Sequence, residues 1–135
     1  MHADERESGR PPPWAECLPA AAETAQAFLA RLHCLAQIGG GVVENWPRVG
    51  LEAMATGVPL VAENQGGWTE MIQHGRTGFL CNGEDEMIEH MTRLAREPRH
   101  RESVIEQARC TVETQLANPE TWWEQWKELL EGILG

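Results

Sequence analysis

The sequence predicts an α/β fold, with a short parallel sheet between helices and a helical C-terminal third. Three observations carry this. Apolar runs at residues 33–38 and 60–62, and an extended segment at 79–81, are separated by stretches of helical spacing. Strands alternating with helices pair in parallel, because each parallel strand needs a crossover to return to the same end of the sheet. From Glu84 onward the apolar spacing is helical throughout.

Taken in order, residues 1–19 are predicted to form a flexible, proline-rich head. Asp4, Glu5 and Glu7 are followed by Pro11, Pro12 and Pro13, and Pro19 stops the chain again. Residues 20–135 are predicted to form the folded unit. It opens with a helix over 20–32, whose apolar positions Ala25, Phe28, Leu29 and Leu32 share one face. The strand at 33–38 ends in Gly39-Gly40-Gly41. A loop through Glu44 and Asn45 leads to a helix in which Pro47 takes the first turn, where a missing N–H costs nothing. That helix runs to Ala55 and stops at Gly57, with Pro59 just beyond. Residues 60–62 form the next strand, Gly66-Gly67 breaks it, and a short helix spans 69–73. Gly75, Gly78 and Gly83 bracket the strand at 79–81. Helices follow over 85–96, stopped by Pro98, and over 99–116. A last one begins after Asn118-Pro119, a good cap followed by proline at the first helical position.

Composition narrows the function. The 135 residues fit one ordinary domain. They include 21 acidic and 11 basic side chains, with Lys127 the sole lysine and a net charge of −10. That balance argues against nucleic acid or anionic membranes as partners, since both select basic patches. No apolar run is long enough to span a bilayer. Cys17, Cys34, Cys81 and Cys110 are far apart and form no CxxC pair, so no metal site is expected. The acidic N-terminus has no apolar signal core, and the expectation is buried, reduced thiols in a cytoplasmic protein.

The chemistry concentrates in Glu44-Asn45-Trp46-Pro47-Arg48-Val49-Gly50-Leu51-Glu52. Two carboxylates stand on either side of a strand-to-helix turn. The first amides of a helix are unpaired and carry partial positive charge, which makes an anion site at the carboxyl edge of a parallel sheet. A diphosphate is expected on the amides of Val49, Gly50 and Leu51, with Gly50 letting it approach the backbone. Glu52 is placed to accept from ribose hydroxyls and Glu44 from a sugar, because carboxylates only accept and hydroxyls donate. Such a pair also arises by chance in acidic proteins.

The words around the pair are more specific. Glu44 to Glu52 resembles the E-x7-E motif of retaining glycosyltransferases with the GT-B fold, of the large family that includes sucrose-phosphate, glycogen and lipopolysaccharide-sugar synthases. Leu51-Glu52-Ala53-Met54-Ala55-Thr56-Gly57-Val58-Pro59-Leu60-Val61 resembles that family's "LEAMA-x-G-x-P-hydrophobic-V" segment. Gly66-Gly67-Trp68-Thr69-Glu70 resembles its "GG-x-x-E" turn, and His74-Gly75-Arg76-Thr77-Gly78-Phe79-Leu80 its "dG-x-tGfLv" turn. The likeness covers roughly residues 25–110. It implies a partial Rossmann-like three-layer domain that binds a nucleotide sugar, with Glu44 on the donor sugar as the catalytic carboxylate and Glu52 on the ribose. Arg48, Val49, Gly50, Leu51, Gly66 and Gly67 would complete the donor site. No cofactor is implied beyond the nucleotide-diphosphate sugar, a co-substrate. Transfer would proceed without a protein nucleophile, the leaving diphosphate being stabilised electrostatically.

Departures from the pattern set further expectations. The family's Glu-Gly-Phe-Gly is replaced by Glu44-Asn45-Trp46-Pro47, so Pro47 removes an amide and Arg48 supplies charge instead. The family's cationic diphosphate clamp and its acceptor-binding domain have no counterpart in these residues. The chain is therefore expected to act only when complemented by a missing N-terminal domain or a partner chain, and to be inactive alone. The alternative is a non-catalytic nucleotide-binding or protein-interaction module.

The remaining residues have plainer readings. Gly66-Gly67 also fits a simple tight turn, and Glu70 suits the first turn of a helix by its dipole. His33 is expected as a core or edge histidine, and His74, His90 and His100 as solvated surface residues. Cys34 and Cys81 are expected as small core residues. Trp122, Trp123, Trp126, Leu129, Leu130 and Ile133 form a broad stripe on the last helix. Packing on the domain's own sheet is the ordinary reading. If the stripe is uncovered, self-association through the helix bearing Trp122 and Trp126 is expected.

Overall fold

The computed structural model describes residues 11–135. Most of the predicted head, residues 1–10, lies outside the described residues. In the described part of the head, residues 11–19, Pro12 and Ala15 close a turn (Ala15 N donates to Pro12 O, 2.9 Å), and Trp14 is exposed.

Three parallel strands form the sheet in the order β1-β2-β3: β1 Leu35–Gln37, β2 Leu60–Glu63 and β3 Phe79–Cys81. The register pairs Leu35 with Leu60, and Val61 with Phe79. The helices are α1 Ala25–Ala30, α2 Arg48–Thr56, α3 Trp68–Met71, α4 Glu84–Arg96, α5 Pro98–Thr111 and α6 Pro119–Leu134, with a π-helical turn, Val112–Leu116, after α5.

β2 is central, and its alternation builds the layers. Leu60 and Ala62 face a core made with Leu29 of α1, Ala53 and Met54 of α2, and Trp68 and Met71 of α3. Val61 faces the other way, into a core with Phe79, Cys81, Met87 and Leu94 of α4, and Val104 of α5. Successive strand residues point to opposite faces, so a central strand covered on both sides is apolar throughout. α5 serves both cores, since Ala108 joins the first.

Several boundaries differ from expectation for local reasons. α1 is much shorter than 20–32. Ala22 N donates to Pro19 O, Ala21 sits at φ 64°, and the Thr24 hydroxyl accepts from Ala27 N at 3.1 Å as a true N-cap. Pro47 is the N-cap of α2 rather than its first helical residue, with an extended ψ of 93°. At the other end Gly57 adopts the left-handed conformation (φ 86°) and its amide caps the helix. Arg109 lies across this terminus and donates to Thr56 O at 3.1 Å, a favourable place for a cation. The helix expected over 99–116 ends as α-helix at Thr111 and continues as the π turn.

α6 starts as predicted, with the Asn118 side chain accepting from the amides of Glu120 and Thr121. None of its residues is buried. Trp122, Trp126 and Ile133 are 59%, 45% and 70% exposed, so the stripe does not pack on the sheet. Among the described residues, no helix is long and apolar enough to cross a membrane.

Candidate functional site

β1 delivers the chain to the carboxyl edge of the sheet, and α2 carries it back. Between them a hollow of about 330 Å³ opens, lined by Gln37, Glu44, Trp46, Pro47, Arg48, Val49 and Trp68. Of the predicted donor-site residues, the structure brings together Glu44, Arg48 and Val49 here. Gln37, Trp46 and Trp68 are additional walls. Arg48 is the only cation among the lining residues.

Gly50 and Leu51 do not line this hollow. The Gly50 amide, expected to face a diphosphate, instead donates to Pro47 O at 2.9 Å. The first helical amides are therefore those of Arg48 and Val49, one residue earlier than the sequence indicated. Gly50 is buried, and its lack of a side chain serves packing. A Cβ there would stand 2.6 Å from Met71 Sδ and 2.7 Å from Trp68 Cζ3. Its smallness seats α2 on α3.

Gly66 and Gly67 also lie outside the hollow and act through the Glu44 loop. Gly67 N donates to Glu44 O at 2.7 Å. A Cβ on Gly67 would collide with Asn45 O, and one on Gly66 would meet Glu44 O at 2.5 Å. Gly66 also sits at φ 56°, which favours glycine. The two glycines thus hold the backbone of the first carboxylate against the start of α3. Gly67 is the N-cap position of α3, and Glu70 falls in its first turn as expected.

Glu52 lies one turn beyond Arg48 on α2, so both side chains project from the same stripe of that helix. Both are exposed. Glu52 is outside the residues that wall the hollow.

The loop leading into the site is tied to the neighbouring strand. Glu63, the last residue of β2, accepts from Gly39 N at 2.9 Å and from the Gln65 side chain. Glu63 also borders a second cavity of about 290 Å³ at the carboxyl ends of β2 and β3, with Asn64, Gln65, Asn82 and Glu84 as polar neighbours. Sequence reasoning missed it. Its signal was the polar run Glu63-Asn64-Gln65 directly after an apolar strand, at the edge where α/β sheets bind ligands.

The other single residues sort as follows. Cys81 is buried and Cys34 half-buried, and burial pushes both thiols up. Cys17 and Cys110 are free and exposed, contrary to the expected burial. His33 is exposed. His90 and His100 are not freely solvated but lie half-buried against Phe79. Among the described residues, no group of three or more His, Cys, Asp or Glu side chains is arranged to hold a metal ion.

A three-layer parallel α/β unit with a hollow at the carboxyl end of its strands is a Rossmann-like domain. This chain belongs to the family described as glycosyl transferases group 1, which matches residues 18–111. Among curated proteins it is similar to N-acetyl-alpha-D-glucosaminyl L-malate synthase of Bacillus anthracis, with 52% identity over 42 residues, 31% of this chain and 11% of that protein. It is also similar to the GDP-mannose-dependent alpha-(1-6)-phosphatidylinositol monomannoside mannosyltransferase of Mycobacterium tuberculosis, with 41% identity over 62 residues, 46% of this chain and 16% of that protein. Among solved structures, Anabaena HepE in complex with UDP-glucose superposes with a TM-score of 0.66 at 24% identity, over 78% of this chain and 29% of that one, a likeness of fold. HepE in complex with UDP and glucose gives the same TM-score at 25% identity. The chain thus spans less than a third of the length of each of these relatives.

Proposed function

We propose that this chain supplies the donor side of a glycosyl transfer, holding a nucleotide-diphosphate sugar at the amino-terminal end of α2 while further polypeptide supplies the acceptor side. The observation that carries this reading is the hollow itself. Its lining includes an acidic residue, Glu44, a basic residue, Arg48, and the first two residues of α2, Arg48 and Val49, beside the carboxyl end of β1, a setting that suits an anion. A diphosphate suits the Arg48 and Val49 end, where charge-assisted hydrogen bonds are available. The transferred sugar suits Glu44, and Glu52, further along the same stripe of α2, suits the ribose. Family membership and HepE's complexes with UDP-glucose and with UDP and glucose favour a nucleotide sugar over other phosphates.

In this reading, departure of the diphosphate leaves positive charge on the sugar and negative charge on the phosphate. Arg48 and the helix amides stabilise the second, and Glu44 orients the first. Retention of configuration and the need for a complementing domain belong to the proposal. So does a cytoplasmic location.

Calorimetry with UDP- and GDP-sugars tests it. Binding is expected with one nucleotide class, weakened about tenfold in Arg48→Ala by loss of a charge-assisted contact, and weakened also in Glu52→Ala. Absence of heat with every nucleotide sugar, or unchanged affinity in both variants, would overturn it. Binding without turnover is the expected result for the chain alone.

A further inference from the structure

Away from this site, three imidazoles surround one ring at the outer strand. The Phe79 ring stacks on His90 of α4, with centroids 4.2 Å apart and planes 20° from parallel. His74, from the turn between α3 and β3, meets Phe79 edge-on at 6.0 Å and His90 at 5.6 Å. His100 of α5 lies 5.8 Å away on the same ring.

His74 also holds the backbone of β3. Among the described residues this strand pairs with β2 alone, so one row of its amides faces away from the sheet. Leu80 N donates to His74 Nδ1 at 3.0 Å. An imidazole nitrogen accepts a hydrogen bond only while it carries no proton. His90 Nδ1 and His100 Nε2 are shielded from solvent without a hydrogen-bond partner among the described residues. A proton added at either would be a buried, unpaired donor.

We propose that His74, His90 and His100 form a proton-sensitive clamp on β3, closed while the rings are neutral and released when they are protonated. Protonation would take the acceptor from Leu80 and set two like charges side by side at His74 and His90. On α4, Glu86 and Glu89 favour a charged His90, whereas Arg93 opposes it. Glu86 is held by the Asn82 amide at 2.9 Å. From α5 the titratable neighbour is His100, and from the α3–β3 turn it is His74. Burial first, and His74 second, outweigh the acids and lower the pKa of His90. A lowered histidine pKa means the unfolded chain binds more protons between the folded value and the ordinary value of about 6.5. Stability from His90 is therefore complete above that ordinary value and declines as the pH falls through the window below it.

The experiment measures the exchange protection of the Leu80 amide by NMR, corrected for intrinsic exchange, and the urea midpoint, at pH 7.5 and 5.5. In the wild-type chain, Leu80 protection is expected to fall at least tenfold at the lower pH, and the midpoint to drop. His74→Asn keeps a side-chain oxygen near the amide without a proton to gain, and its Leu80 protection is expected to be the same at both values. Should that variant not fold, His90→Leu removes the like-charged neighbour and keeps a side chain on Phe79, and its midpoint should drop less than the wild type's. Equal Leu80 protection at the two pH values in the wild-type chain, or the same midpoint drop in wild type and the folded variant, overturns the proposal.

Discussion

α2 and α6 are both amphipathic helices, and both start beside a proline, yet their apolar faces meet different fates. α2 buries Gly50, Ala53 and Met54 against the sheet and α3. α6 buries nothing, and its three tryptophans stand in solvent. The periodicity of a sequence specifies that a helix has a face. Only the rest of the fold specifies whether that face is covered. In α2 the covering surface is built within the described residues, since Leu60 and Ala62 of β2, and Trp68 and Met71 of α3, fold onto it. In α6 it is not.

The contrast can be broken most directly at Met54, which is 0% exposed in the larger core. Met54→Ala removes a side chain that neighbouring groups fill only partly, and a loss of about 3 kcal/mol is expected. Urea denaturation checks it. A loss below about 1 kcal/mol would mean that α2 is as loosely held as α6, and the comparison would fail.

Gly50→Ala sharpens the same point with a smaller effect. The added methyl would meet Met71 Sδ and Trp68 Cζ3 at 2.6 and 2.7 Å. The methionine has room to adjust through its flexible chain, but the indole is fixed in the core. Overpacking of this kind costs about 1–3 kcal/mol, partly offset by about 1 kcal/mol of gained helix propensity. A denaturation midpoint above the wild type's would show that α2 and α3 are not in close contact, and that the glycine serves some other end.

Much of this was legible in the sequence, and the limits follow a physical rule. The end of α2 could be read because Gly57 acts on the helix that contains it, and the start of α6 because Asn118 caps amides two and three residues away. The strand at 79–81 was bounded by glycines and fell where expected. Errors arose where local signals compete. An alanine-rich stretch argued for a long α1, but Thr24 and the turn at Pro19 set a later start. At the candidate site, the order Glu44, Arg48, Val49 was visible from spacing. That the Gly50 amide is already taken was not, because it depends on Pro47 adopting the cap conformation. His90 and His100 are half-buried for the same reason, where the sequence indicates solvated surface, while His74 is exposed as expected. His74, His90 and His100 come from a turn and two helices, and only the tertiary fold gathers them on Phe79.

The smallest expected effect lies on α6, and its smallness is the test. Trp126 is 45% exposed, touching the nearby Trp122 with ring centroids 5.9 Å apart. Trp126→Ala is expected to change the unfolding free energy of the domain by less than about 0.5 kcal/mol, as for other surface substitutions. The same variant should alter solution behaviour, because an uncovered stripe of tryptophan and leucine favours association. Sedimentation of the wild-type chain is then expected to show association that grows with concentration, and of Trp126→Ala to show less. A wild-type chain that stays monomeric, together with a large stability loss in the variant, would mean that α6 folds back onto its own domain. In that case both helices would be covered alike, and the difference between α2 and α6 would disappear.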